Sequence, residues 1–420
     1  MKSTSKLFAA MSVLMILSML LAACGGAATP TSVAPGEPTV PPEEPTEELP
    51  YIPAEGLIAC NPLPELAMGT GTTEFAAALA VAARASYGGL RAAPVQQAEQ
   101  VYRVGVFEDV TTLNYWAANG PDNTVYNSYM LPPRLSMYGL SDKFFTFVPV
   151  AALDLPTALV QEGDFWVVEI PMRQDIAWSD GEPFTAEDVA FTANEVIRFG
   201  LISGNWSSWY DSNFLDHVEA IDPYTVKYFY HTKPGLARHE WGTLQAPVVA
   251  EHYWGPVTAE AYAPIAALAA DASEEDNLAA QAEAQDILFS HVPEGEPLAG
   301  IFTFESWQEG AFLENVANSD YYDANTTIRE YEGGIYQRGD TAYYGEPSGE
   351  PLIEYGVGPF VTSVVYSIYG SQDAAILALR AGEVDFVLNS LGLQKGLTDQ
   401  IIDDPNLSVI TNPTNGFRYL

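Results

Sequence analysis

Residues 174–200 read QDIAWSDGEPFTAEDVAFTANEVIRFG, and no other stretch limits the fold of this chain as much. Residues 175–178 predict the end of a strand. Ser179-Asp180-Gly181-Glu182 carries turn chemistry: Gly181 is available for a positive φ, and Pro183 restricts the backbone leading out of the turn. A helix starts next. Thr185 is a good N-cap, and Asp188 three residues on makes an acidic variant of the capping box. Glu187 and Asp188 fall in the first turn, where carboxylates oppose the positive end of the helix dipole. Val189, Ala193, Val196 and Ile197 recur at helical spacing and form one apolar face. Gly200 ends the helix. Physically this is a scaffold element: a strand end, a tight turn and a capped amphipathic helix.

The letters are more specific than the pattern. Trp178-Ser179-Asp180-Gly181, Pro183, Thr185-Ala186, Asp188-Val189 and Phe191-Thr192 resemble the signature of the extracytoplasmic solute-binding proteins of peptide and nickel ABC importers. That family includes the dipeptide- and oligopeptide-binding proteins. In it, this stretch builds a lobe and does no chemistry. A second stretch, DAAILALRAGEVDFV at residues 373–387, reads as helix, Gly382 stop and strand, and closely resembles another family motif. Residues 300–322 resemble the family's strand pair, with Ile301 standing where proline is usual. Residues 247–254 (PVVAEHYW) resemble its crossing segment. The resemblance covers residues 101–420. It implies an α/β, type II periplasmic-binding-protein-like fold with mixed sheets and flanking helices.

Composition agrees with a large secreted protein. The chain has 420 residues, 48% hydrophobic, which is enough for two or more domains. It carries 55 acidic against 17 basic residues, a formal charge of −38. Nucleic acid is excluded as a partner, because phosphate contacts need a basic surface. Bare anionic lipid is disfavoured for the same reason. The acidity is compatible with a high-salt habitat or with cationic ligands, and composition does not choose.

Lys2 and Lys6 precede an apolar run at residues 7–23, the n- and h-regions of a secretory signal peptide. As a transmembrane helix the run is just short of a comfortable span. Leu21-Ala22-Ala23-Cys24 resembles a bacterial lipobox, which implies removal of residues 1–23 and lipidation of Cys24. Residues 24–57 are rich in Pro, Thr and Glu and cannot offset ordering entropy by burial. They read as a tether from a membrane. Residues 58–97 form an Ala-rich addition. Cys60 then has no partner and is expected to be a small hydrophobe in a loop.

Residues 101–107 (VYRVGVF) predict a buried strand, followed by Glu108-Asp109-Val110-Thr111-Thr112-Leu113-Asn114. This resembles the family's first strand and the loop that faces its ligand cleft. An ordinary turn with an Asx cap is the alternative from the residues alone. Residues 144–150 and 165–172 predict strands, and residues 218–230 a hairpin around Asp222-Pro223. Asn205-Trp206-Ser207-Ser208-Trp209-Tyr210 puts three aromatics in a polar loop, either as a hydrophobic plug or for stacking on a ligand. Residues 264–290 predict a surface helical insert, with Ser273 near the helix start. Residues 407–411 and 417–420 predict strands.

No reaction chemistry emerges. Neighbouring carboxylates such as Glu187 and Asp188 do not face each other on a helix, as a glycosidase pair would. His239-Glu240 begins like a zinc-protease helix, but Thr243 stands where the second histidine belongs. There is no Gly-x-Ser-x-Gly elbow and no phosphate or dinucleotide loop. The expectation is therefore no enzyme, no cofactor and no metal site. The resemblance implies a lipid-anchored substrate-binding subunit of an ABC importer, taking peptides or related small solutes to the membrane permease. A secreted hydrolase on the same tether, or a surface adhesion lipoprotein, are the alternatives.

The resemblance also implies domain boundaries and a site. Domain I would be residues 98–130 and 256–420, and domain II residues 131–255. The second ligand-binding lobe would be missing from these residues. One cleft wall would hold Glu108, Asp109, Val110 and Thr111 together with Asn415, Gly416, Phe417 and Tyr419.

Overall fold

In residues 101–106 apolar Val104 and Val106 alternate with Arg103 and Gly105, so one face of the strand is buried deeply. The computed structural model describes residues 100–410, apart from Ser390, Leu391 and Asp403. In it this strand, β1 (Val101–Val106), is the middle of a parallel trio. On one side lies β14 (Ser363–Ile368), on the other β15 (Phe386–Val387). The sheet continues antiparallel through β9 (Phe312–Ala317) to β8 (Phe302–Gln308), in the order β15-β1-β14-β9-β8. Helix α9 (Gln372–Ala381) connects β14 to β15 and is closed by Gly382 at φ 73°. Arg103 fixes β15 in place: its guanidinium pairs with Asp385 at 2.7 Å and donates to the Gly382 carbonyl at 2.8 Å.

Three smaller sheets surround this one. β4 (Val160–Glu162), β5 (Phe165–Pro171), β7 (Thr225–Tyr230) and β6 (Leu215–Asp222) form an antiparallel sheet in that order. β2 (Tyr138–Leu140) pairs with β3 (Phe147–Pro149). β12 (Thr341–Tyr343), β11 (Tyr336–Arg338), β10 (Thr327–Glu330) and β13 (Ile353–Gly356) make the last. The remaining helices are α1 (Tyr115–Ala118), α2 (Val125–Met130), α3 (Ala186–Phe199), α4 (Trp206–Trp209), α5 (Leu236–His239), α6 (Glu251–Ala261), α7 (Ala263–Ala266), α8 (Glu274–Ser290) and α10 (Lys395–Ile401). This is the expected α/β class, with mixed sheets and flanking helices.

The signature stretch forms the largest core. α3 has both halves of the expected capping box, and Gly200 ends it at φ 63°. Val189, Ala193 and Val196 are buried with Ile170, Val218, Val226 and Tyr228 of the β4-β5-β7-β6 sheet. Asp188 is buried and does more than cap. Its carboxylate accepts from the Thr185 amide (2.9 Å), the Trp178 indole (3.2 Å) and the Glu251 amide at the start of α6 (2.9 Å). Burial raises its pKa, and these hydrogen bonds oppose the rise. The expected insert is α8, capped by Ser273. Its Ala284 and Leu288 join the same core, and Gln281 and Gln285 donate to the Phe199 carbonyl at the end of α3.

Three expectations differ from the structure. Residues 175–178 make only an isolated bridge, Ala177 with Pro183, because the chain has already turned to let Trp178 bond Glu182. The strand expected at residues 144–150 shrinks to β3. Buried Glu330 takes the amides of Lys143 and Phe144 and the Ser141 hydroxyl, which bends residues 141–146 into a turn. Residues 407–410 are in no strand.

Candidate functional site

The strands β15, β1 and β14 are parallel, so their carboxyl ends share one edge of the sheet. The chain leaves β1 on one face, where Val104 and Val106 pack with Ala118 of α1 and with Tyr126 and Met130 of α2. It leaves β14 into α9, which packs against β1 and β15 on the other face and ends at the Gly382 carbonyl held by Arg103. Neighbouring strands that exit to opposite faces open a crevice at their carboxyl ends, the usual ligand position in such sheets. A Cβ at Gly105 would lie 3.3 Å from the Tyr369 ring, a tight contact at this edge.

The loop after β1 crosses this edge, and each of its residues has a different fate. Glu108 is exposed and, among the described residues, its carboxylate is in no hydrogen bond or ion pair. Asp109 accepts from the Trp307 indole at 2.9 Å and from the Gly310 amide at 2.6 Å. Val110 is buried in the core beneath the sheet. Thr111 is exposed, but its amide donates to Asn127 (3.0 Å) and its hydroxyl to the Asp122 carbonyl (2.7 Å). Asn114 supplies the Asx cap, accepting from the Trp116 and Ala117 amides, and its amide group donates to the Leu288 and His291 carbonyls at the end of α8. Asn415, Gly416, Phe417 and Tyr419 lie outside the described residues, as does Cys24.

Beside the loop is a pocket of ≈ 270 Å³, lined by Tyr115, Asn127, Ser128, Arg134, Trp209 and Gln245 among others. Asn127 belongs to both, since it holds Thr111. At roughly 30 Å³ per water, the pocket takes about nine waters, the size of one side chain or a small solute. Arg134 is its cation, but that charge is already spent. The guanidinium pairs with Glu296 at 2.6 Å, both side chains being buried, and lies 4.1 Å over the Tyr115 ring. Burial pushes the Tyr115 phenol up in pKa, with Arg134 opposing. Glu296 also accepts from the Trp254 indole at 2.9 Å.

The aromatic loop divides between its two readings. Trp206 and Tyr210 are plugs: Trp206 stacks on Trp116 at 5.2 Å and donates to the Trp116 carbonyl. Trp209 is half-buried and reaches the pocket. Sequence reasoning flagged Trp209 but missed Tyr115, Ser128, Arg134 and Gln245, which come from separated segments with no shared pattern. Among the described residues no three His, Cys, Asp or Glu side chains gather as metal ligands, and no helix is long and apolar enough to cross a membrane.

Residues 152–420 match the family of bacterial extracellular solute-binding proteins, family 5. The chain belongs to that family. A family 5 solute-binding protein is a binding protein and not an enzyme, and the mixed α/β architecture described above is the fold class expected of it. No functionally curated protein matches the sequence. Similar solved structures include NikZ from Campylobacter jejuni with Ni(L-His), at 15% identity and a TM-score of 0.43, covering 74% of this chain and 46% of that one. An oligopeptide-binding protein from Thermus thermophilus with a pentapeptide has 18% identity and a TM-score of 0.46, covering 68% and 43%. AppA from Bacillus subtilis with a nonapeptide has 17% identity and a TM-score of 0.45, covering 69% and 44%. This family 5 chain thus spans less than half the length of each.

Proposed function

We propose that this family 5 chain acts as the substrate-binding subunit of an ABC importer. It captures a peptide or related small solute outside the cytoplasm and delivers it to the membrane permease. The observation that carries the reading is the edge of the central sheet. There the loop that carries exposed Glu108 is tied, through Thr111 and Asn127, to a small polar pocket that Trp209 also lines. These residues would form one wall of the ligand cleft, with Asn415, Gly416, Phe417 and Tyr419 joining it. Domain I would comprise residues 98–130 and 256–420 and domain II residues 131–255, with α6 and α8 at the seam.

The N-terminal reading completes the proposal. Residues 1–23 would direct export, Cys24 would carry the lipid, and residues 24–57 would hold the binding domain off the membrane. The protein would therefore stand on the outer side of the cytoplasmic membrane or at the cell surface.

Native mass spectrometry of the full chain after incubation with peptide and oligosaccharide libraries tests the function. The expected result is intact solute recovered with the protein. Turnover of the library would favour a secreted hydrolase instead, and a protein that retains nothing would favour an adhesion or structural lipoprotein.

A further inference from the structure

The pocket that Trp209 and Arg134 line contains a charged residue but offers no free charge. Arg134 is held in a buried pair with Glu296 at 2.6 Å, and its Nη1 donates to the Pro132 carbonyl at 2.8 Å. Its Nε is buried without a hydrogen-bond partner among the described residues, which leaves an unmet donor in the pocket wall. The other free groups of the lining are neutral. The Trp209 indole N–H and the Ser128 hydroxyl are in no hydrogen bond with the described residues. The side-chain amides of Gln245 and Asn205 donate to the Glu240 carbonyl at 2.9 Å and to Asn119 at 3.1 Å, which leaves their oxygens free to accept.

Two aromatic rings stand in the same lining, and both are fixed. Trp209 packs edge-to-face on Trp206 at 5.5 Å and 77°, and Tyr115 does so at 6.1 Å and 83°. Trp206 is itself buried, stacked on Trp116 and hydrogen-bonded to its carbonyl. One buried indole thus sets both rings before any ligand arrives, so little ordering is left for binding to cost. Ring surfaces, neutral donors and neutral acceptors in a volume of ≈ 270 Å³ suit a guest that is apolar on its faces and hydroxylated round its edge. A hydroxyl both donates and accepts, so it can serve every free group here. A carboxylate or an ammonium would enter with no counter-charge to meet it, and losing water without one is costly.

We infer that this pocket takes an uncharged, hydroxylated ring, one sugar unit of the solute, and that Trp209 both packs against it and donates to it. The inference rests on the binding role proposed above and narrows the part of the solute that enters this pocket.

The test uses the full chain with ¹⁵N-labelled tryptophan indoles and probes of one shape and three charges: the methyl glycosides of glucose, glucosamine and glucuronic acid. The Trp209 indole resonance is assigned from Trp209→Phe. Methyl glucoside should shift that resonance saturably, and each charged probe should bind at least about tenfold more weakly. Trp209→Phe keeps a ring and removes the N–H, and Ser128→Ala removes an exposed hydroxyl. Each should weaken methyl glucoside by about two- to tenfold in calorimetry, the size of one neutral hydrogen bond. Ser128→Ala should do so at an unchanged urea midpoint. Equal binding of neutral and charged probes, binding with no shift at Trp209, or full affinity in both variants overturns the inference. Should Trp209→Phe fail to fold, Ser128→Ala and the preference for the neutral probe decide it. Trialanine separates this inference from the reading beneath it. A chain that binds trialanine but not methyl glucoside overturns the inference and leaves the importer role standing; a chain that binds neither of them, nor any solute of the libraries, overturns both.

Discussion

Replacing Asp188 with alanine removes one acceptor group and strands donors from three segments. Asp188 is 4% exposed, and its carboxylate accepts from the Trp178 indole at 3.2 Å, the Thr185 amide at 2.9 Å and the Glu251 amide at 2.9 Å. Each buried donor left without a partner costs about 1–3 kcal/mol, the Thr185 amide being the N-terminal half of the capping box. Burial raises the pKa of Asp188, so the charge itself is not a net gain, and its removal returns part of the loss. The balance is a destabilisation of about 3–5 kcal/mol, a large share of the 5–15 kcal/mol typical of a folded domain. Urea unfolding followed by tryptophan fluorescence measures it as a lower midpoint at unchanged slope. Thr185→Ala, which leaves the Trp178 and Glu251 contacts intact, should cost about 1 kcal/mol on the same scale. A loss below about 1.5 kcal/mol for Asp188→Ala would refute the account of this residue as a three-way tie. So would a fall in solute affinity at an unchanged midpoint.

Three further outcomes are expected. His239 is buried, with the Tyr230 hydroxyl 2.9 Å from Nδ1, and burial lowers its pKa to about 4. The unfolded chain takes up this proton near pH 6.5 and the folded chain does not, so stability is full above about pH 6.5. About 3 kcal/mol should be lost as pH falls from 6.5 to 4; His239→Gln should flatten that part of a urea-midpoint profile, and a parallel profile would argue against it. Asn114→Ala leaves two helix ends without partners and should cost about 2–4 kcal/mol by thermal or urea unfolding, with Asn114→Asp recovering only the α1 cap. Cys24→Ala should release the protein from membranes into the aqueous phase of a detergent partition; complete retention in detergent would rule out the lipid anchor.

The parts of the fold that were legible in the sequence are the locally determined ones. α3 and α9 have caps, apolar periodicity and stop glycines within their own residues, and β1, β5 and the β6–β7 hairpin carry their own alternation and turn. The turn at residues 141–146 was not legible, because Glu330, nearly 190 positions away, takes its amides. The site was half legible. The loop after β1 could be placed, but the distinct surroundings of Glu108 and Asp109 depend on Trp307 and Gly310, about 200 positions on. The pocket draws on several separated segments, and Arg134 gives no hint in sequence that its charge is already neutralised by Glu296.

α8 joins elements that lie far apart along the chain. Along the chain it is an Ala- and Glu-rich segment that could be cut out. In space its last carbonyls hold Asn114, and two of its glutamines close α3. A helix that supplies hydrogen bonds to the ends of other elements cannot be removed without leaving those groups unpaired. A trimmed scaffold built for engineering would have to re-cap α3 and relieve Asn114 before it could dispense with α8.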